Sequence, residues 1–334
     1  MVSFIHHSLG LPAPLSLGIP PSHSHILSLL FTSTYVGSIY VSQILFPSGK
    51  VRSFGRNSPG IPPVAAGDFD GQVPRRLEGP EVGSRDHPDT IKRRMKAVGT
   101  ATVLSLGGVY WVIKQTGGYS WRGTVGPTLR LLGMPLSPGD VLQTGWLAYL
   151  LAPTLLFGPL VAEYLDGDLW FQRPSSGGIV RRIKAAGLVG LRNYVVGPVT
   201  EELVFRSTVL SVSLLGGLSS SSLIFGTPLW FGLAHAHHAL ETWRIGGKTQ
   251  RAALQAAVGC VFQLGYTTLF GWFASYVYLR TGSVIPPLAS HIFCNLMGIY
   301  LPTTAVARHP PYKLLIWGSY LAGILGFVIG IRAL

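Results

Sequence analysis

The chain has 334 residues, 48% hydrophobic and only 12% charged, with a mean hydropathy of +0.40. A soluble domain carries about 25% charged residues; half that share, between long apolar runs, indicates a multi-spanning membrane protein and excludes disorder over most of the chain. The net charge of +13 comes from 26 basic against 13 acidic residues scattered between apolar stretches, as expected of loops facing anionic lipid rather than a nucleic-acid surface.

The first 25 residues are rich in Pro, Ser and His and lack a basic start, a poor match to a cleavable signal peptide. This reads as a tail (1–25) before a first membrane anchor near Ile26–Phe46. Pro47–Lys96 follows, dense in Gly, Pro and basic residues, and reads as a cytosolic loop with no packed core. The remainder, 97–334, reads as a transmembrane core. Apolar stretches of roughly 20 residues are expected near Ala97–Ile113, Gly145–Leu165, Tyr194–Leu215, Ser222–Leu240, Leu254–Leu279, Val284–Leu301 and Leu314–Ile331. With the anchor they make about eight transmembrane helices, an all-α polytopic bundle with an intramembrane cavity. Most basic clusters then fall on one side, taken as cytosolic, with both termini lumenal. Lys114, Arg122 and Arg130 are the exception. Cys260 and Cys294 lie in apolar segments and suggest neither disulfides nor a metal knuckle.

Three segments carry groups that an apolar span does not need. In Thr200-Glu201-Glu202-Leu203-Val204-Phe205-Arg206, two carboxylates and an arginine sit where each charge costs at least about 2.5–3.5 kcal/mol at a helix centre. Glu202 and Arg206 are i,i+4 and share a face, so they can pair. Glu201 is rotated about 100° away and is left free to act as a general base; alternatively, all three lock helices together. A span starting at Tyr194 would put Glu201 about 10 Å deep, with Pro198 in the first turn, where its missing donor costs little. Phe231-Gly232-Leu233-Ala234-His235-Ala236-His237-His238 places Phe231, His235 and His238 near one face. That cluster is either a ligand set or an interfacial polar cap. His291 and Asn295 are again i,i+4, two neutral donors suited to an oxyanion or to bonding between helices.

Together the segments supply a base, a water-positioning histidine and an oxyanion hole, enough for direct water attack on an amide without a metal or cofactor. No His-Glu-x-x-His signature is present, although Glu201, His235 and His291 could meet zinc geometrically. Glu163, Asp166 and Asp168 read as a solvated helix end, and Ser219–Ser222 as a turn.

The ordered triple Glu201-Glu202-x-x-x-Arg206, Phe231-x-x-x-His235 and His291-x-x-x-Asn295 resembles the type II CAAX prenyl endopeptidases (the Ras-converting enzyme), glutamate-type intramembrane proteases. The flanks Arg192–Thr200 and Ser290–Asn295 are similar too, and the resemblance covers roughly 181–301. It implies a multi-pass enzyme of the endoplasmic reticulum membrane with its site open to the cytosol. Such an enzyme cleaves farnesylated or geranylgeranylated CAAX proteins, such as Ras-like small GTPases, after the modified cysteine and releases the last three residues. A prenyl chain partitions into lipid and brings its peptide to the membrane. By the same resemblance, Glu201 and His235 would activate water, His291 and Asn295 would hold the oxyanion, and Glu202 and Arg206 would support Glu201, with membrane lipids around them and no metal.

Overall fold

The computed structural model describes residues 18–45, 85–169, 171–172, 186–234 and 237–334, and among them only helices, turns and coil occur, with no strand. Of the loop expected over 47–96, residues 47–84 lie outside the described residues, as do the N-terminal 17 residues, and from Pro88 on the chain is helix.

Helix α1 spans Pro21–Leu45 and is inside-out by aqueous standards. Ser24, Ser28, Thr32 and Ser42 are buried, while Ile26, Leu29, Leu30 and Ile44 are exposed. That pattern suits a lipid surround, where apolar side chains face hydrocarbon and small polar ones pack between helices. The serines satisfy themselves within the helix: Ser28 Oγ donates to the Ser24 carbonyl at 2.8 Å and Ser42 Oγ to that of Ile39 at 2.7 Å.

Helix α2 spans Pro88–Gly117, capped by His87, whose Nδ1 accepts from Asp89 N–H, and stopped by Gly118 at φ 64°. Pro88 suits a first helical position, where its missing donor is not needed. The helix thus begins ahead of the apolar stretch at Ala97 and includes the basic run at 92–96. Short helices α3 (Trp121–Leu131) and α4 (Pro138–Gln143) follow. The end of α3 is tied into the bundle by side chains. Leu131 O accepts from Ser211 Oγ at 2.7 Å and Tyr278 Oη at 2.6 Å, and Leu132 O from Ser207 Oγ at 2.7 Å. Gly133, at φ 64°, lies so close to Tyr278 that a Cβ would sit 2.6 Å from its ring.

Helices α5 (Trp146–Leu155) and α6 (Phe157–Leu165) form an apolar pair bent by 61°. Next comes α7, continuous over residues 186–215; α8 covers 220–234. They are followed by α9 (His237–Ile245), α10 (Gln250–Thr281), α11 (Ile285–Met297), α12 (Pro302–Arg308) and α13 (Lys313–Ala333). In α10 and α13 the lipid-type pattern recurs, with Leu254, Val261, Leu314 and Leu325 outward and Gly271, Ser275, Ser319 and Gly323 inward.

The membrane-type helical bundle expected from the sequence is thus what the chain forms, but its spans are unequal. Among the described residues, α2, α10 and α13 are long and apolar enough to cross a membrane, and the bent α5–α6 pair makes a fourth if it is counted as one span. The other expected spans differ for identifiable reasons. Helix α7 carries Arg192, Glu201, Glu202 and Arg206. The stretch expected to run to Leu301 ends at Met297, where Gly298 takes φ 65°. Its 13 residues reach about 20 Å, short of the roughly 30 Å hydrocarbon core. The stretch 222–240 is described as helix to Ala234 and again from His237.

The main core lies where α1, α2, α7, α8 and α10 meet, around Phe31, Val109, Val209, Leu210, Phe231 and Tyr278. Small residues let the helices approach. Gly108 receives the Phe31 ring, and Gly271 lies against Pro228 and the Arg206 guanidinium.

Candidate active site

Helix α7 is shaped by two wide turns. Over Arg192–Val196 and again over Leu203–Val209 the backbone bonds run i to i+5, flanking the ordinary helical turn Gly197–Glu202. Such π turns are frequent at functional sites. The first has a covalent cause. Gly197 N–H bonds the Arg192 carbonyl, and the next residue, Pro198, has no N–H. The Asn193 carbonyl is therefore left without a backbone donor. Asn295 Nδ2 supplies one from α11, at 3.0 Å. Pro198 is thus not in the first turn, as the sequence suggested; α7 is already helical at residue 186, and the π turn accommodates a proline in the helix interior. Helix α8 repeats the device. Thr227 N–H bonds Ser222 O across its π turn, Pro228 follows, and Thr227 Oγ1 takes the Leu223 carbonyl at 2.7 Å.

The ordinary step of about 100° between neighbouring helical residues sets the glutamates apart. Glu202 is fully buried and pairs with Arg206, Nη1 to Oε1 at 3.2 Å, as the i,i+4 spacing predicts. The same Oε1 lies 2.7 Å from His291 Nδ1. Glu201 has a 21% exposed side chain, and its Oε2 is 3.7 Å from His291 Nε2. The imidazole thus stands between the two carboxylates, with Nδ1 engaged by Glu202 and Nε2 turned toward Glu201. Glu202 contacts His291 directly, with Arg206 paired behind it.

Arg206 is 1% exposed. Its guanidinium carbon lies 4.5 Å from the Phe231 ring centre and 5.5 Å from that of Phe270. Phe270 also stacks at a tilt on His291, with centroids 4.8 Å apart. Aromatic faces attract a desolvated cation, so Phe231 and Phe270 box the Arg206–Glu202–His291 chain. Phe231 was noted in the sequence only as a neighbour of His235; this packing gives it a purpose. On the other side, Tyr35 of α1 shares a 3.0 Å hydrogen bond with Thr200 Oγ1. Nothing in the local sequence at Tyr35 marked it as a site neighbour.

Glu201, His291 and Asn295 all line one cavity of about 1080 Å³. Its walls are apolar toward Leu155, Phe225, Trp272, Phe273 and Tyr276, and its polar end includes Asn193, Arg192, Arg94 and Arg85. His235 lies outside the described residues, so its meeting with Glu201 is left to experiment; the side chains of His237 and His238 are likewise undescribed.

Two further expectations met the structure differently. Ser219 and Ser222 do form a turn, Ser219 Oγ accepting from Ser222 N–H at 3.2 Å. The acidic end of α6, however, is not a solvated terminus. Glu163 is buried at 2% exposure. Asp166 accepts from Tyr300 Oη at 3.0 Å and contacts Arg308 Nη1 at 3.0 Å and His309 Nε2 at 2.7 Å. Those partners lie 134 to 143 residues on in sequence, beyond what local pattern can reveal.

Comparison with known proteins follows the same lines. Residues 184–297 match the family described as Type II CAAX prenyl endopeptidase Rce1-like. The chain is 41% identical over 138 residues to CAAX prenyl protease 2 of Arabidopsis thaliana, a match covering 41% of this chain and 42% of the plant protein. It is 32% identical over 258 residues to CAAX prenyl protease 2 of Homo sapiens (75% of this chain, 73% of the human protein). To CAAX prenyl protease 2 of Saccharomyces cerevisiae it is 30% identical over 246 residues, 67% of this chain and 74% of the yeast protein. No solved structure matches the chain. The matched region holds both glutamates, Arg206, His291 and Asn295, and with that extent of identity the chain belongs to the type II CAAX prenyl endopeptidase family of membrane proteases.

Proposed function

We propose that this protein is an intramembrane endopeptidase that hydrolyses the peptide bond after the prenylated cysteine of CAAX-tailed proteins. The observation that carries the reading is the partly exposed Glu201 carboxylate at the cavity, 3.7 Å from His291 Nε2, behind which Glu202 and Arg206 are sealed from solvent. One carboxylate is buried and committed; its neighbour faces the space where a substrate would lie.

In the proposed reaction Glu201, with His235, takes a proton from a water as its oxygen attacks the scissile carbonyl carbon. His291 Nε2–H, when that nitrogen carries the proton, and the second Nδ2–H of Asn295 stabilise the oxyanion. The first Asn295 hydrogen is held by the Asn193 carbonyl, which fixes the amide's direction. As the intermediate collapses, the C–N bond breaks and the proton on Glu201 passes to the leaving amine. The products are a prenylcysteine carboxylate and a free tripeptide.

The substrates would be farnesylated or geranylgeranylated proteins, Ras-like small GTPases among them. The prenyl chain would lie against the apolar wall at Phe225, Trp272 and Phe273, leaving the peptide at the polar end. A cavity of this size lies at the top of the usual range for ligand pockets, about 300–1000 Å³, which suits a lipid joined to a peptide. We assign the enzyme to the endoplasmic reticulum membrane, with the site and the basic segment ahead of α2 on the cytosolic side.

The test is release of the tripeptide from a farnesylated CAAX peptide by purified protein, wild type beside Glu201→Ala, each with and without chelator. Chelator-resistant cleavage by wild type alone is expected. Absence of cleavage by the folded wild type would leave a membrane scaffold as the reading, and loss on chelation with bound zinc would replace the glutamate mechanism by a metal one.

A further inference from the structure

The polar end of the cavity holds more positive charge than hydrolysis uses. Arg85, Arg94 and Arg192 line it together with Glu201 and Asn295. Arg192 is held in place from two sides: Nε donates to Asn193 Oδ1 at 2.9 Å and Nη1 to the Arg85 carbonyl at 3.1 Å. Nη1 also meets Asp86 Oδ1 at 2.9 Å. The Asp86 side chain is 56% exposed, whereas that of Arg192 is 16% exposed. An ion pair with so exposed a partner is weak, so Asp86 can yield the guanidinium to another carboxylate. Arg94 comes from α2, which packs against the π turn that starts at Arg192.

The substrate brings one such carboxylate. A tail of apolar residues behind a prenylated cysteine has a single fixed charge, its terminal α-carboxylate. In a cavity shared with Glu201, that charge is repelled unless a cation receives it. A guanidinium fork matches a carboxylate in charge and geometry. The lengths also agree. Three extended residues span about 10–11 Å. Arg192 and Glu201 are nine residues apart on α7, about 13 Å along the axis, and both side chains reach into the cavity.

Building on the protease reading, we propose that Arg192, assisted by Arg94, binds the free α-carboxylate of the substrate's C-terminal tripeptide and thereby sets the cut three residues from the chain end. Arg192 is then a specificity determinant: it reads the end of the substrate while Glu201 works at the bond.

The test uses the purified full-length protein and two farnesylated peptides of one sequence, one ending in a free carboxylate and the other in a carboxamide. Wild type should cleave the acid with a KM lower by about tenfold or more, the range of one charge-assisted hydrogen bond. Arg192→Gln should raise KM for the acid toward that of the amide with little change in the amide's own value, and Arg192→Lys should restore part of the preference. Arg94→Gln should narrow the preference in the same direction, which keeps the test available if Arg192→Gln fails to fold. Equal KM for the two peptides with wild type would overturn the inference while leaving the protease reading intact. So would variants that lose kcat but keep the full acid preference, since Arg192 would then only be holding α2 to α7. Cleavage of neither peptide by wild type would remove the protease reading and this inference with it.

Discussion

Glu202 Oε1 receives both Arg206 and His291, so one oxygen joins a buried charge pair to the imidazole that faces Glu201. Removing one member of a buried pair leaves the other charge uncompensated, at about 3–5 kcal/mol. Arg206→Ala is therefore expected to destabilise the protein by about that amount, read as a lowered unfolding midpoint in detergent. The double change Glu202→Gln with Arg206→Met should recover much of the stability while leaving activity low, because His291 loses its brace. Asn295 differs in being exposed at the cavity. Asn295→Ala should leave stability close to wild type and lower kcat by about 10²–10³-fold, the effect of losing one oxyanion donor, with KM for the prenylated peptide little changed. At this scale the i,i+4 spacings revealed the Glu202–Arg206 pair and the shared face of His291 and Asn295. They did not reveal which glutamate His291 touches, because that contact joins residues 89 apart in sequence.

At the scale of the element, a proline after a π turn leaves one carbonyl free on each of α7 and α8, and each is taken by a side chain. Pro198→Ala restores an N–H, so the Asn193 carbonyl gains a backbone donor and the turn at Arg192–Val196 can tighten to ordinary helix. Asn295 then loses its anchor, and residues before Gly197 rotate relative to Glu201. The expected result is a fall in kcat with an unchanged or raised unfolding midpoint, a combination that cavity formation would not produce. The proline was visible in the sequence, but its place within the helix was not, since α7 is already helical at residue 186, ahead of the apolar run from Tyr194. Apolarity marks where lipid contact starts, whereas a helix starts where backbone hydrogen bonding does.

At the scale of the molecule, two features stand out. His291 and Asn295 sit on a half-length helix, α11, and the C-terminal end of the bent α5–α6 pair is tied through Asp166 to Arg308 of α12 and to Tyr300 and His309 on either side of it. Asp166→Asn keeps the size of the side chain and removes its charge. It should lower the unfolding midpoint by an amount corresponding to about 2 kcal/mol, the range for hydrogen bonds to a charged group, while activity per folded molecule stays near wild type. A loss of activity without loss of stability would instead connect this cluster to the site.

The sequence by itself determined the class of the molecule, since apolar runs with so little charge have no stable folded form in water. It also marked the candidate reactive groups, because Glu, Arg, His and Asn within apolar runs are costly. Only the tertiary structure decided that Glu202 is sealed and Glu201 exposed, that Phe231 and Phe270 enclose the arginine, that Asn295 bonds the carbonyl freed by Pro198, and that three arginines share the cavity with the glutamate. Periodicity describes one helix at a time. Burial and partnership are set by packing between helices whose residues lie tens to more than a hundred positions apart, and no local pattern encodes that.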